Sequence, residues 1–268
     1  MERERGFTLI EILFALFVGV ILMGAAYVAM SSGQRTSTGV ERKVAAQLDI
    51  RAAIQAMSLE ISMASYNPHV FGGFWHDLPN LGSPTPVSCA SSGDQAYKGI
   101  REATATRMVI EMINDSPGNE NDKQVGNQAG EIVVYNYDLQ KQYITRESPL
   151  CGAPRLLGNA QSFLGEDPAT GLPRAVRVIN NNLENSALNM VNGAGAVAVF
   201  RYYNGVADVL NPFGKEIYPG TTPSEIPNIR RIDIILAVET DEVDPSTRSR
   251  KQMTYSSSVL VRNHALSQ

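Results

Sequence analysis

A chain of 268 residues with a net charge of −4 and a sequence pI near 5.5 carries no general basic field, which makes nucleic acid an unlikely partner and a DNA-uptake role remote. Its three histidines, His69, His76 and His264, form no recognised metal spacing, and there is no G-x-S-x-G, P-loop or G-x-G-x-x-G, so an enzyme and a cofactor are both unexpected. This length does not require a second domain.

Met1 to Gly6 carry Arg3 and Arg5 and precede Phe7 to Met30, twenty-four residues interrupted by one charge, Glu11. A bilayer core about 30 Å thick takes roughly twenty apolar residues as a helix, so the run is long enough to span with some tilt. A soluble surface helix would not be apolar on every face. Arginines just before the run place the amino terminus in the cytoplasm and everything after Met30 across the membrane. An ordinary secretory signal has its cleavage site after the apolar run. Here the small residue Gly6 precedes it and no such site follows near Tyr27 to Ser32, so a cut at Gly6 would leave the helix on the mature protein.

Gly6-Phe7-Thr8-Leu9-Ile10-Glu11 resembles the cleavage and methylation motif of type IV prepilins and of the pseudopilins of type II secretion. The resemblance implies that a prepilin peptidase cuts after Gly6 and methylates the new terminal amine, on Phe7. It also makes Glu11 the glutamate of that motif. Independently of any family, an acidic side chain at mid-membrane costs about 2.5 to 3.5 kcal/mol on translocon scales and is by default a functional residue with a partner. About one turn from the new terminus, Glu11 is helped by the positive end of its own helix and can pair with an amine. In a filament of stacked helices, the resemblance makes that amine the Phe7 amino group of a neighbouring subunit. The alternative is a carboxylate that snorkels to the headgroups and does nothing specific.

From about Gln34 to Ala64 the helical signal becomes amphipathic. Val40, Val44, Leu48, Met57, Ile61 and Ala64, with Ile54 nearby, form the apolar stripe, and Arg42, Lys43, Gln47, Arg51, Gln55 and Glu60 take other faces. A sheet from the same chain is the natural cover for that stripe. No proline interrupts Phe7 to Tyr66, which reads as one helix ending before Asn67-Pro68, with Ser31-Ser32-Gly33 as its point of flexibility. Some major pilins carry a proline midway along the membrane half; Val28 stands there in this chain, and Gly19 and Gly24 remain to loosen the helix.

Downstream, short β-rich runs are separated by Gly, Pro, Asn and Asp: Arg107 to Ile113, Glu131 to Tyr137, Gln142 to Arg146, Ala175 to Ile179, Ala196 to Tyr203, Arg231 to Glu239 and Met253 to Arg262. Alternation in Ile232-Asp233-Ile234 and Tyr143-Ile144-Thr145 suggests a sheet with one face on the core and one wet. Asp138 to Lys141 reads as a hairpin turn, and the last two runs flank the polar loop Thr240 to Lys251 as a closing antiparallel pair. The whole is α+β: a leader at 1–6, a transmembrane helix at 7–30, its amphipathic continuation at 31–66, and a β-rich extracytoplasmic domain at 67–268. The resemblance implies that this arrangement, one long helix packed on an antiparallel β-sheet domain, is a pilin-like fold.

Within that family, several pieces in this order are similar to the PilW-type minor pilins: Ala56 to Ile61 with Ser65-Tyr66-Asn67-Pro68, then Ala103 to Thr106, Glu131 to Asp138, and Ile144-Thr145-Arg146. The closing strands, the Asp244-Pro245 loop and Ser258 to Asn263 resemble that group too, and the GspJ-type pseudopilin shares the architecture. Phe71 to Gln95 and Phe163 to Asn192 match nothing in the family. The resemblance implies a minor pilin that initiates and assembles a type IV pilus at or near its tip, with other minor pilins, major pilin and the inner-membrane assembly platform as partners. It would sit in the bilayer of the inner membrane before assembly and in an extracellular pilus or periplasmic filament afterwards. The alternatives are a minor pseudopilin of a type II secretion system and, further off, a membrane-anchored periplasmic enzyme.

Cys89 and Cys151 both lie in the exported part, where a disulfide forms and persists; a bridge would close about sixty residues and contribute roughly 3 to 4 kcal/mol. Two unpaired thiols are the alternative. Asp115, Glu120 and Asp122, and Asp241, Glu242 and Asp244, do not follow the calcium-loop spacing and read as solvated turns, with adventitious calcium as the alternative. Phe71-Gly72-Gly73-Phe74-Trp75-His76 either covers an open edge of the core or offers a partner a contact surface. A histidine alone in a loop, as all three are here, is expected on the surface.

Overall fold

The computed structural model describes residues 8–67, 99–114, 125–126, 128–150, 161–165, 176–180, 198–206, 212, 214–241, 243–244 and 247–266. One helix, α1 (Leu9–Ser62), leads into ten strands: β1 (Ile100–Ala103), β2 (Arg107–Glu111), β3 (Ile132–Asp138), β4 (Tyr143–Glu147), β5 (Gln161–Leu164), β6 (Val176–Val178), β7 (Phe200–Asn204), β8 (Glu216–Ile217), β9 (Ile229–Thr240) and β10 (Gln252–Leu260). A 3-10 helix (Pro223–Asn228) precedes β9, and a short helix, α2 (Arg262–Leu266), follows β10.

The 54 residues of α1 extend about 80 Å at 1.5 Å per residue. The helix passes without a break through Ser31-Ser32-Gly33, where flexibility was expected. Hydroxyls there bond back to the preceding turn, Ser31 to Val28 O, Thr36 to Ser32 O and Thr38 to Gln34 O, each at 3.0 Å, so these polar side chains are satisfied without opening the helix. Gly19, Gly24 and Gly33 face open space.

The buried face of α1 is Ala46, Ile50, Ala53, Met57 and Ile61, continued by Ala64 beyond its end. Val40, Val44 and Leu48, assigned from the sequence to the same stripe, are 56%, 47% and 61% exposed. Helical geometry explains the correction. Leu48 and Met57 are nine residues apart, two and a half turns at 3.6 residues each, and so lie on opposite faces. Glu60, expected on an outer face, turns toward the domain and is bound there.

The antiparallel β domain expected after the helix is present and consists of two sheets. The first is the meander β1-β2-β3-β4-β5. Its β3–β4 hairpin closes where the sequence placed it: Asp138 Oδ1 accepts from the amides of Gln140 and Lys141 at 2.9 Å, an Asx turn. Tyr143, Ile144 and Thr145 are all buried, so β4 has no wet face at this point, contrary to the alternation expected there.

The second sheet runs β10-β9-β7-β8, with β6 also on β9. β9 is paired with β10 along Arg231 to Glu239 and shares its other edge between β7, at its start, and β6, at its end. Asn180 fills the gap between those two: its Oδ1 accepts from Ala237 N at 3.0 Å and its Nδ2 donates to Ile235 O at 2.7 Å. A side-chain amide thus satisfies backbone groups that no strand reaches, as burial requires. Ile232 and Ile234 are inside with Asp233 between them, the alternation read from the sequence. β10 ends at Leu260, two residues short of the expected Arg262, which begins α2.

Candidate assembly site on the amino-terminal helix

Thr8 caps α1. Its Oγ1 accepts from Glu11 N at 3.4 Å, and the Glu11 carboxylate accepts from Thr8 N at 2.8 Å and from the Thr8 hydroxyl at 2.9 Å. This is a complete capping box, which satisfies orphan donors at both of its ends. The T-x-x-E spacing of Thr8 and Glu11 carries that signal in the sequence. Gly6 and Phe7, the expected cleavage and methylation residues, lie outside the described residues. What is described is the carboxylate one turn below them, held at the mouth of the helix by its own cap.

From Leu9 to Met30 the apolar side chains stand in the open, among them Phe14, Phe17, Leu22 and Met23. By length and composition α1 can cross a membrane, its most apolar eighteen-residue window having a mean hydropathy of 2.5 and no buried residue. Exposure continues past that window at Val40, Val44 and Leu48, of which Leu48 lies opposite Met57 and Val44 and Val40 turn progressively toward its flank. Among the described residues, nothing of this chain covers that surface.

Two contacts set where the domain holds the helix. At the upper end, the β9–β10 loop lies against α1: a Cβ on Gly39 would stand 3.1 Å from Asp244 Oδ1, and Arg42 Nη1 donates to Val243 O at 3.1 Å. At the lower end, Ser65 adopts a left-handed φ of 64°, donates its amide to Glu111 O at 2.8 Å and bonds through Oγ to His264 Nδ1 at 3.0 Å. His264 Nε2 lies 2.9 Å from Ile226 O. This histidine is therefore fully buried, contrary to the surface position expected of it, because it joins the end of α1, the 3-10 helix and α2. Glu111, whose carbonyl accepts from Ser65, pairs through its side chain with Arg101 at 2.8 Å, with 0% and 1% exposure.

Of the second acidic cluster, Asp241 and Asp244 are held by basic partners and are not freely solvated. Arg177 Nε reaches Asp241 Oδ1 at 2.6 Å, and Asp244, nearly buried, has Lys251 Nζ at 3.5 Å. Basic residues from the same regions are likewise paired: Arg231 with Asp233 at 3.1 Å and above the Tyr203 ring at 3.8 Å, Arg250 with Glu239 at 3.3 Å. Among the described residues no three His, Cys, Asp or Glu side chains are grouped to hold a metal. Cys89, Cys151, His69, His76, the aromatic run 71–76, Glu242 and the acidic cluster at 115–122 lie outside the described residues.

Residues 1–27 match the model of the prokaryotic N-terminal methylation motif. Among solved structures, a type IV-like pilin from Thermus thermophilus is similar at 10% sequence identity, over 81% of this chain and 96% of that one, with a TM-score of 0.34. No curated protein matches the chain. What the comparisons establish for this chain is therefore an amino-terminal methylation motif at the head of α1.

Proposed function

We propose that the chain is a minor pilin: a precursor cut after Gly6 and methylated on Phe7, held in the inner membrane by 7–30, and built into a type IV pilus at or near its tip. The observation that carries this reading is the methylation motif set on a helix whose apolar surface is covered by its own domain only from Ala46 onward. Such a surface is stable in lipid or against other helices of the same kind. Within the bundle, Glu11 pairs with the methylated amine of a neighbour, exchanging its local cap for a charge-assisted partner. The β domain then offers its surface to other minor pilins and to major pilin, and the prepilin peptidase and the assembly platform are its membrane partners. The work is assembly and not catalysis.

The test is mass spectrometry of the mature amino terminus together with its location in sheared filaments. Methylated Phe7 in the pilus fraction is the expected result. A chain that still carries its first six residues, or one trimmed after Met30 and free in solution, would overturn the reading. Methylated Phe7 found only in a secretion pseudopilus would move the protein to the pseudopilin alternative.

A further inference from the structure

Away from α1, which lies against β5, β9 and β10, the turn between β1 and β2 meets the segment that follows β8. Gly220 permits the meeting, since a Cβ there would stand 3.3 Å from Thr104 Cα. Tyr202 donates its hydroxyl to Thr104 O at 2.8 Å, and the amides of Val199 and Phe200 both reach Ala105 O, at 2.9 and 3.1 Å. These ties fix the two segments to each other, and a cleft of about 270 Å³ lies beside them.

The cleft's lining contains two charged side chains, Arg201 and Glu216, and they face each other fork to fork: Nε to Oε1 at 2.7 Å and Nη2 to Oε2 at 2.6 Å. The pair cancels its own charge, so the site attracts neither an anion nor a cation. It still leaves guanidinium N–H donors and carboxylate lone pairs beyond the two bonds it makes. Tyr218, 38% exposed, is the one partly exposed aromatic residue among those lining the cleft. The Thr221 hydroxyl donates to Tyr218 O at 3.0 Å and keeps its acceptor capacity. Concave shape, an aromatic surface and a few fixed donors and acceptors without net charge fit a ring that is apolar on its faces and hydroxylated at its edge. A volume just under the roughly 300 to 1,000 Å³ of drug-sized pockets suits one such ring.

We propose that this cleft binds a neutral saccharide, one pyranose ring lying on Tyr218 with its hydroxyls directed at the Arg201–Glu216 pair. The site does not depend on the amino-terminal chemistry, so its failure and that of the filament reading are separable.

The full chain in zwitterionic micelles, free of glycoside detergents that would compete, is titrated with glucose, galactose, N-acetylglucosamine, its linear trimer and glucuronate. Saturation-transfer and amide NMR provide the readouts. Expected are saturation transfer to at least one neutral sugar, shifts of the Gly220 and Thr221 amides, and weaker or no binding of glucuronate. Tyr218→Ala lowers affinity about tenfold and Tyr218→Phe, which keeps the ring, changes it less than about twofold. Tighter binding of the trimer assigns the site to a glycan chain; equal binding assigns it to a single sugar. The proposal is overturned by no transfer to any neutral probe, by a preference for glucuronate, or by unchanged affinity in a folded Tyr218→Ala chain. Should Tyr218→Ala fail to fold, the amide shifts of the unaltered chain decide: shifts confined to residues outside the cleft overturn it.

Discussion

Glu60, in the last turns of α1, accepts from the Arg146 guanidinium of β4 at 2.7, 3.0 and 3.1 Å, and the Tyr135 hydroxyl of β3 donates to the same carboxylate. Both charged partners are about three-quarters removed from water, and the bond to Glu60 raises the pKa of Arg146. The cluster fastens the helix to the first sheet where the apolar contacts of Met57 and Ile61 end. Glu60→Ala leaves Arg146 half-buried without its acceptor and is expected to destabilise the full chain in micelles by about 2 to 3 kcal/mol, read from urea unfolding. A loss below about 0.5 kcal/mol would reduce the cluster to surface decoration.

The same cluster sets a pH limit. Burial, and then the Glu60 charge, raise the pKa of Tyr135 above the ordinary tyrosine value of 10.0, and burial raises that of Tyr202 too. The folded state thus favours the neutral phenol. Its stabilising contribution is complete below about pH 10, where the unfolded chain's tyrosines are also neutral, and is lost as pH rises from there toward the folded value. The expected outcome is a Tm that falls above about pH 10 and a shallower fall in Tyr135→Phe. Equal slopes in the two proteins would show that Tyr135 is not a source of the effect.

Two truncations on α1 separate its faces. Met57 is fully buried, so Met57→Ala is expected to cost about 2 to 5 kcal/mol. Leu48, on the opposite side, should tolerate Leu48→Ala within about 0.5 kcal/mol when the subunit is isolated. The reverse ranking in denaturant titrations would place the sheets on the wrong side of the helix.

Glycines in α1 divide by what they face. Gly33→Ala meets open space and should stabilise the helix by about 1 kcal/mol through propensity alone. At Gly39 an added Cβ stands 3.1 Å from Asp244 Oδ1, so the same gain is offset by displacement of the β9–β10 loop. Hydrogen exchange should therefore accelerate at 240–251 in Gly39→Ala and not in Gly33→Ala.

At the amino terminus, Glu11→Ala is expected to leave membrane insertion and cleavage intact and to reduce recovery of the chain in sheared filaments. Thr8→Ala removes the cap's hydroxyl, costs the first turn about 1 kcal/mol, and should speed amide exchange over residues 9–12 without abolishing assembly. Normal incorporation of Glu11→Ala would leave the carboxylate with a capping role only.

Much of this protein is written in local pattern. The apolar run after Arg3 and Arg5, interrupted only by Glu11, specifies a helix long enough to span a bilayer and apolar on every face, and its own β domain leaves it exposed. Alternating residues in β9 and an Asp at the start of a four-residue turn specify strand and hairpin for equally local reasons. Thr8 belongs to the same legible class, its spacing to Glu11 being a sufficient sign of the cap. Other strands were not legible: β1, β5 and β8 are two to four residues long, too short to show a period, and they exist because neighbours offer them hydrogen bonds.

Tertiary structure alone decided which side of α1 is inside. Val40, Val44 and Leu48 are as apolar as Ile50 and Met57, and periodicity cannot rank two apolar rows when one is reserved for the sheets and the other left open. That choice follows from contacts such as Glu60 with Arg146, 86 residues apart, and Gly39 with Asp244, made by a β9–β10 hairpin whose position depends on every strand paired before it. Burial of His264 and the bridging role of Asn180 have the same origin: a polar side chain becomes structural only where the fold leaves a buried donor or acceptor for it to satisfy.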